Sequence, residues 1–301
     1  MRLSDCFEGA TAVVSGTHSD YFLAVSDGIL HITKDGIHEK ACDVKERILD
    51  LTSRDDIIAG SGDAGRFIIS LDAGRTWSQK KLPTSASAWS LCINSAHMIV
   101  THSNYQLYLS CDYGDTWQIY QPFQLLGRDQ PAIRSICTDG SVLYIGTKIH
   151  SRYGGVWSVD LTNYHVKRLK YDRRMIASLL KRDDTLICAA GTCRNDQGSV
   201  DYAHLTSQNT SSLTWKTCHA TVKEACYLDL SEHNGYLYTT TSHDKQGLSH
   251  VARVYLSEQK IVPCTQIHGH GWRVTNHEDR FLVAGLYESL FSTSYMPQHV
   301  H

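Results

Sequence analysis

Short apolar runs rich in Val, Ile, Leu, Tyr and Thr alternate along the chain with clusters of Gly, Asn, Asp and Ser, a strand-and-turn pattern throughout. No window of helical length carries a 3.6-residue apolar period. The clearest runs are IIAGSGDAGRFII at 57–69 and MIVTHSNYQLYL at 98–109, each two strands around a short polar loop. The same phrase returns in degraded form at 21–32, 142–159, 185–205, 236–256 and 281–291. The starts fall at Tyr21, Ile57, Met98, Val142, Thr185, Tyr236 and Phe281, at intervals between 36 and 51 residues. A period of about 40–45 residues holding four short strands is the signature of a propeller blade.

Each repeat divides into strands A to D, counted from the axis outward. In the second repeat these are ILDLT, DIIAGS, GRFIIS and TWSQKKL; in the third they are AWSLCI, HMIVTH, QLYLS and TWQIYQ. The last repeat reaches only its third strand, ESLFSTS, while MRLSDCF at the N-terminus precedes the first A strand, ATAVVSG, and belongs to no repeat. Such a stretch can supply the missing outer strand and leave no open edge at the seam. The expected fold is all-β: a seven-bladed β-propeller of four-stranded antiparallel blades, closed by the N-terminal strand, in one domain over residues 1–301. Six blades are expected instead if one degraded repeat is not a blade.

Two segments, SLDAGRTW at 70–77 and SCDYGDTW at 110–117, share the phrase S-x-D-x-G-x-T-W. Ser70, Asp72, Gly74, Thr76 and Trp77 in the first match Ser110, Asp112, Gly114, Thr116 and Trp117 in the second. Asp can accept hydrogen bonds from turn backbone, Gly permits positive φ, and Trp can cover the joint between blades. Partial copies stand at 33–36 and 213–215. The phrase resembles the Asp-box, or bacterial neuraminidase repeat, of sialidases, sortilin-type receptors and photosystem II assembly factors. In that family the turn joins strands C and D on the face opposite the active site, so the resemblance implies architecture rather than chemistry. Sialidases add an Arg-Ile-Pro motif, an arginine triad, a Tyr nucleophile with its Glu, and an Asp acid. None of the five prolines, Pro83, Pro122, Pro131, Pro263 and Pro297, follows Arg-Ile, so the catalytic half of the resemblance is missing.

Composition narrows the partners. Lys and Arg number 29 against 31 Asp and Glu, a formal charge of −2, so any attraction to nucleic acid or anionic membrane must be local. With 42% hydrophobic and 20% charged residues the chain can bury a large core. No apolar stretch is long enough for a membrane helix, and Asp5 and Glu8 stand where a signal peptide needs its apolar core, so a cytoplasmic location and no membrane contact are expected. The 10 cysteines show no CxxC spacing, and Cys92, Cys137, Cys188 and Cys226 sit inside apolar runs as small buried hydrophobes.

In a propeller the B–C and D–A loops share the face that opens around the axial channel. The B–C loops are long in the fourth, fifth and sixth repeats, KIHSRYGG, GTCRNDQGS and SHDKQGLSH. From these loops and the D–A connections, Arg47, Arg134, Arg152, Arg174, Arg194, His243, His270 and Arg273 are the candidate binding residues. Arginines converging on a narrow mouth would focus positive potential on a carboxylate, a phosphate or an acidic peptide. The competing reading pairs each arginine with a neighbour such as Asp129, Asp172 or Glu46.

Other chemistry finds less support. HGHGW at 268–272 places His268 and His270 two apart, but its glycines imply a turn and no Cys or carboxylate is near enough in sequence to complete a metal site. There is no G-x-S-x-G, Walker loop or HExxH, so no catalytic residue, metal or cofactor is assigned. The most basic window, 163–174, holds Lys167, Arg168, Lys170, Arg173 and Arg174 on a D strand, where charge blunts an exposed edge or contacts nucleic acid. The leading expectation is a non-catalytic binding or assembly scaffold for a protein partner, with an anionic ligand possible at the channel. A glycan-acting or other anionic small-molecule enzyme is the alternative, and a nucleic-acid-contacting subunit the third.

Overall fold

The apolar runs become strands because each sheet buries its faces against the next one. The computed structural model describes residues 4–17, 20–33, 36–192, 197–205, 213–220, 223–277 and 280–292 of the 301. In chain order, β1 (Ser4–Glu8) is followed by an antiparallel sheet of β2 (Ala12–Ser15), β3 (Tyr21–Val25), β4 (Gly28–Ile32) and β5 (His38–Asp43). Next come β6 (Ile48–Arg54), β7 (Ile57–Gly62), β8 (Arg66–Ser70) and β9 (Ser78–Lys81), then β10 (Leu91–Ile93), β11 (Ile99–Ser103), β12 (Gln106–Ser110) and β13 (Gln118–Tyr120). A fourth sheet contains β14 (Ile133–Asp139), β15 (Val142–Thr147), β16 (Gly155–Asp160) and β17 (Val166–Tyr171).

The following eight strands form one sheet. They are β18 (Met175–Arg182), β19 (Thr185–Gly191), β20 (Ser199–His204), β21 (Lys216–Ala220), β22 (Tyr227–His233), β23 (Tyr236–Thr241), β24 (Leu248–Tyr255) and β25 (Lys260–His268). Finally β26 (Gly271–His277), β27 (Arg280–Gly285) and β28 (Glu288–Ser292) are completed by β1, which pairs antiparallel with β28 from Ser4↔Ser292 to Glu8↔Glu288. The expected outer strand from the N-terminus is therefore in place, and no edge of β28 is left open.

The described residues thus form four-stranded antiparallel blades in a propeller-like arrangement, with one departure from the expectation of seven separate sheets. Five sheets have four strands and one has eight. As named strands its two meanders pair only through a short parallel ladder of β21 with β25, His219↔Lys260 and Ala220↔Ile261. Strand β25 bulges opposite Val251 and Ala252, where Pro263 supplies no backbone donor. The innermost strands β2, β6, β10, β14, β18, β22 and β26 contact one another in a closed cycle, β26 returning to β2.

The core lies between blades. Val14, Phe22 and Ile29 pack with Ile48, Ile58 and Ile68 of the next blade, and Phe67 and Ile69 pack with Leu91, Ile99 and Tyr108 of the one after. Leu282 and Ala284 of β27 join Val13, Tyr21 and Leu23, so the last blade packs on the first. Cys92, Cys188 and Cys226 are buried, as their apolar surroundings require, and Cys137 is half-buried.

The two S-x-D-x-G-x-T-W turns link β8 to β9 and β12 to β13. In each, the Ser hydroxyl donates to the Asp carboxylate (2.8 and 2.7 Å) and accepts the Gly N–H (2.8 Å in both). The Asp carboxylate also accepts the Thr N–H at 2.9 Å in both turns. The Thr76 and Thr116 hydroxyls, then their backbone N–H groups, hold Asp72 and Asp112 down to about 2. Gly74 and Gly114 have φ of 87° and 86°, and a Cβ at either would meet the preceding blade's Phe22 or Phe67 ring at 2.2 or 2.5 Å. Trp77 and Trp117 meet those same rings edge-on, at centroid distances of 6.0 and 5.1 Å. The motif therefore locks a turn and covers an inter-blade joint. Among the described residues no helix is long and apolar enough to cross a membrane.

Candidate binding face and axial mouth

The inner strands are bulged at a recurring place. Register slips between Ile48 and Asp50 in β6, Ile133 and Ser135 in β14, Ile176 and Ser178 in β18, Tyr227 and Asp229 in β22, and Gly271 and Arg273 in β26. An extra residue in a bulge is re-aimed out of the ladder. The residues set free are Leu49, Arg134, Ala177, Leu228 and Trp272, and all of them but Ala177, with Trp89 before β10, line the mouth where the B–C and D–A loops meet.

The residue after each bulge builds a polar layer beneath. Asp50, Ser90, Ser135, Ser178, Asp229 and Arg273 all line an inner cavity of about 320 Å³ that continues along the axis. They tie neighbouring inner strands into a girdle. Asp50 accepts the Leu91 N–H at 2.9 Å, Ser90 accepts the Ile136 N–H at 3.4 Å, and Ser135 donates to the Ile176 carbonyl at 2.9 Å. Ser178 donates to Asp229 at 2.9 Å, and Asp229 accepts the Val274 N–H at 2.9 Å. Arg273 then closes the girdle across the axis: its Nε donates to Asp50 at 2.9 Å, its Nη1 lies 3.7 Å from Asp229, and its Nη2 donates to the Trp89 carbonyl at 3.1 Å. Burial pushes the Asp229 carboxyl up, and Arg273 is the strongest opposing influence.

Above this floor a cavity of about 510 Å³ is lined by Trp89, Arg134, Lys148, Met175, Leu228, His243, His270 and Trp272. A smaller one of about 150 Å³ beside it is bounded by Thr11, Arg47, Leu49, Leu286 and Arg273, and shares Trp89, Arg134 and Trp272. Arg134 is 8% exposed, and its Nη1 has no hydrogen-bond partner among the described residues. Burial, then the charge of Arg273, pulls its guanidinium down to about 10. Lys148 is also lowered, by burial and then by Arg134, and its Nζ sits 5.9 Å from the Trp89 ring centroid. The His243 and His270 rings lie 4.2 Å apart, tilted by 38°, and His270 lies 5.1 Å from Trp272. His102, fully buried, is pulled down to about 3 by burial and then by the charge of Arg134, and is neutral.

Of the residues chosen from sequence, Arg47, Arg134, His243, His270 and Arg273 therefore come together at the mouth. Arg47 is exposed and bound to Asp63 at 2.8 Å. Arg152 and Arg174 do not join them. Arg152 is exposed, lies 3.7 Å from Asp129 and covers the Tyr153 ring at 5.1 Å. Arg174 instead faces the joint between β17 and β20, donating to Asp172 at 2.9 and 2.7 Å and to Asp201 at 3.2 Å. Arg194 lies outside the described residues.

Sequence reasoning missed Trp89, Trp272 and Lys148, although WSL and WRV occupy the start of A strands as RSI does. It also read the basic window as an outer stripe. Lys170 turns inward to Asp172 (2.8 Å) and Asp201, Arg168 covers the Trp157 and Tyr171 rings, and Arg173 donates to the Tyr171 hydroxyl at 2.9 Å. Burial favours the neutral form of Asp172, but Arg174 and Lys170 hold its carboxyl well below the usual range.

Blades of four antiparallel strands around a shared axis, with side chains converging at one mouth, define a β-propeller-like protein. No family model matches the sequence. The chain is 34% identical over 291 residues to the uncharacterized protein YkuO of Bacillus subtilis (strain 168), covering 96% of this chain and 97% of YkuO, and it belongs to the same family as YkuO. Among solved structures it is similar to YCF48 from Cyanidioschyzon merolae, with a TM-score of 0.65 at 12% identity over 97% of each chain. It is also similar to the extracellular domain of BT4673 from B. thetaiotaomicron, with a TM-score of 0.70 at 10% identity over 95% of this chain and 38% of that one. The computationally designed Ika8 protein gives 0.58 at 9% identity, over 95% of this chain and 96% of that one. At these identities the structural likeness shows the fold alone.

Proposed function

We propose that the chain is a non-catalytic binding module, a seven-bladed Asp-box propeller that engages a protein partner through its B–C and D–A face. The seven-blade reading takes the eight-stranded sheet as two blades, since the only strand ladder between its halves is the two-residue parallel one of β21 with β25. The functional reading rests on where large apolar side chains are exposed. Trp89, Tyr105, Leu125, Ile149, Tyr171, Leu286 and Tyr287 all lie on or beside B–C and D–A connections, with Leu125 101% and Tyr287 72% exposed. The opposite face carries Ile37, Leu71 and Tyr113 on its C–D turns. Large apolar groups exposed together on one face mark an interaction surface, and the cations at the mouth complement an acidic partner.

The enzyme reading has less support, because Asp50 and Asp229, the carboxylates lining the cavity beneath the mouth, are engaged by Arg273 and backbone donors. Contact with nucleic acid through 163–174 is disfavoured by the ion pairs and ring contacts that engage Lys170, Arg174 and Arg168. The test is association with the partner retained by the wild-type chain from its native host. Leu125→Asp and Tyr287→Asp are expected to abolish it while Tyr113→Asp retains it, all three melting as wild type. Loss with Tyr113→Asp alone contradicts the assignment of the face.

A further inference from the structure

The mouth cavity contains a buried cation, Arg134, that forms no ion pair among the described residues. Among the described residues no carboxylate comes within ion-pair distance of Arg134, because Asp50 and Asp229 are taken by Arg273 one layer below. A guanidinium held dry and unpaired is costly. Its walls are the indoles of Trp89 and Trp272 with Leu228 and Met175, and Lys148 adds a second cation at the rim. A volume of about 510 Å³ falls in the range of small-ligand sites, and an apolar lining with a few convergent polar groups is their usual composition.

We propose that this cavity binds a carboxylate carried on an aromatic or aliphatic body, with the carboxylate on Arg134 and Lys148 and the body between Trp89 and Trp272. Arginine's planar fork matches a carboxylate, and indole faces accept a flat apolar group. Two sources share this chemistry: a free small acid, and the C-terminal residue of a partner chain. The proposal deepens the binding-module reading by naming what the centre of the face receives.

The test titrates the purified full chain with N-acetylphenylalanine, its amide, and a hexapeptide ending in phenylalanine with a free carboxylate, following tryptophan fluorescence and melting temperature at neutral pH. The free acid is expected to quench saturably and to raise the melting temperature, with the amide weaker by about tenfold or more. Arg134→Met is expected to lose this response while melting at or above the wild-type temperature, since it removes an unpaired buried charge. Arg134→Lys is expected to keep part of the response. A hexapeptide about tenfold tighter than the blocked amino acid identifies a chain terminus as the ligand, and equal affinity identifies a free acid; both support the site. Three results overturn it: no response up to about 10 mM, equal binding of acid and amide, or an Arg134→Met chain that binds as wild type or melts well below it. If the acid fails while Leu125→Asp still loses the partner, the cavity assignment falls and the partner-binding face stands.

Discussion

Replacing Arg273 by methionine is expected to lower the unfolding free energy by about 3–5 kcal/mol, the usual cost of removing one member of a buried ion pair, and the melting temperature by on the order of 10 °C. The reason is geometric. Arg273 is the member of the girdle that crosses the axis, and without it Asp50 and Asp229 remain buried with no cation between them. The pH dependence follows. Burial already pushes Asp229 up, and loss of Arg273 removes the main influence holding it down. A carboxyl whose folded pKa exceeds its unfolded value takes up its proton first in the folded state, so the variant gains stability as pH falls. The deficit against wild type is expected to be narrower at about pH 5 than at about pH 8. Adding Asp50→Asn and Asp229→Asn to Arg273→Met is expected to recover most of the loss. Chemical denaturation of the three chains across that pH range measures all of this, and a deficit that does not change with pH contradicts the buried-carboxylate account.

The second large effect is expected at the joint between β17 and β20. Asp201→Ala leaves Lys170 and Arg174 sharing Asp172 alone, and removes the acceptor of the Ser199 and Thr217 hydroxyls, which stand at 2.9 and 2.8 Å. The side chains of Lys170 and Arg174 are only 12% and 22% exposed, so water replaces the lost carboxylate poorly. A loss of about 3–5 kcal/mol is expected, partly recovered by Lys170→Met in the same chain. Asp27→Ala, which breaks the exposed pair with Lys40, is the control and is expected to leave the denaturation midpoint unchanged. Equal effects at the two sites would show that the inner cluster is no more than a surface pair.

The same two sites show what the chain discloses before it folds. The strand repeat and the S-x-D-x-G-x-T-W turns were legible because their information is local: Ser70, Asp72, Gly74 and Thr76 bond one another within seven residues. The pairing of β1 with β28 was legible because the last repeat lacked a strand. The joining of β21 to β25 was not, since a two-residue parallel contact between distant segments leaves no pattern in either. At the mouth, loop length pointed to His243 and the D–A connections to Arg134, His270 and Arg273, which the structure brings together, but neither signal could separate the two layers. The bulges do that, aiming Arg134 and Trp272 up into the cavity while Arg273 takes the level of Asp50 and Asp229. Aligning the inner strands as LDL, WSL, RSI, ASL and LDL exposes the small or acidic girdle residue and the varied residue before it. Lys170 and Arg174 were misplaced because charge density alone does not say that Asp201, in the next blade, faces them.

The chain is proposed to bind its partner through the face around the axial mouth. Hydrogen exchange of the chain alone and with its retained partner measures this most directly. Protection on binding is expected in the loops at 104–105, 148–154, 242–247 and 286–287 and in the segment 124–130, with little change at 70–77 and 110–117. Protection centred on the two S-x-D-x-G-x-T-W turns, with the mouth loops exchanging as in the free chain, would contradict it.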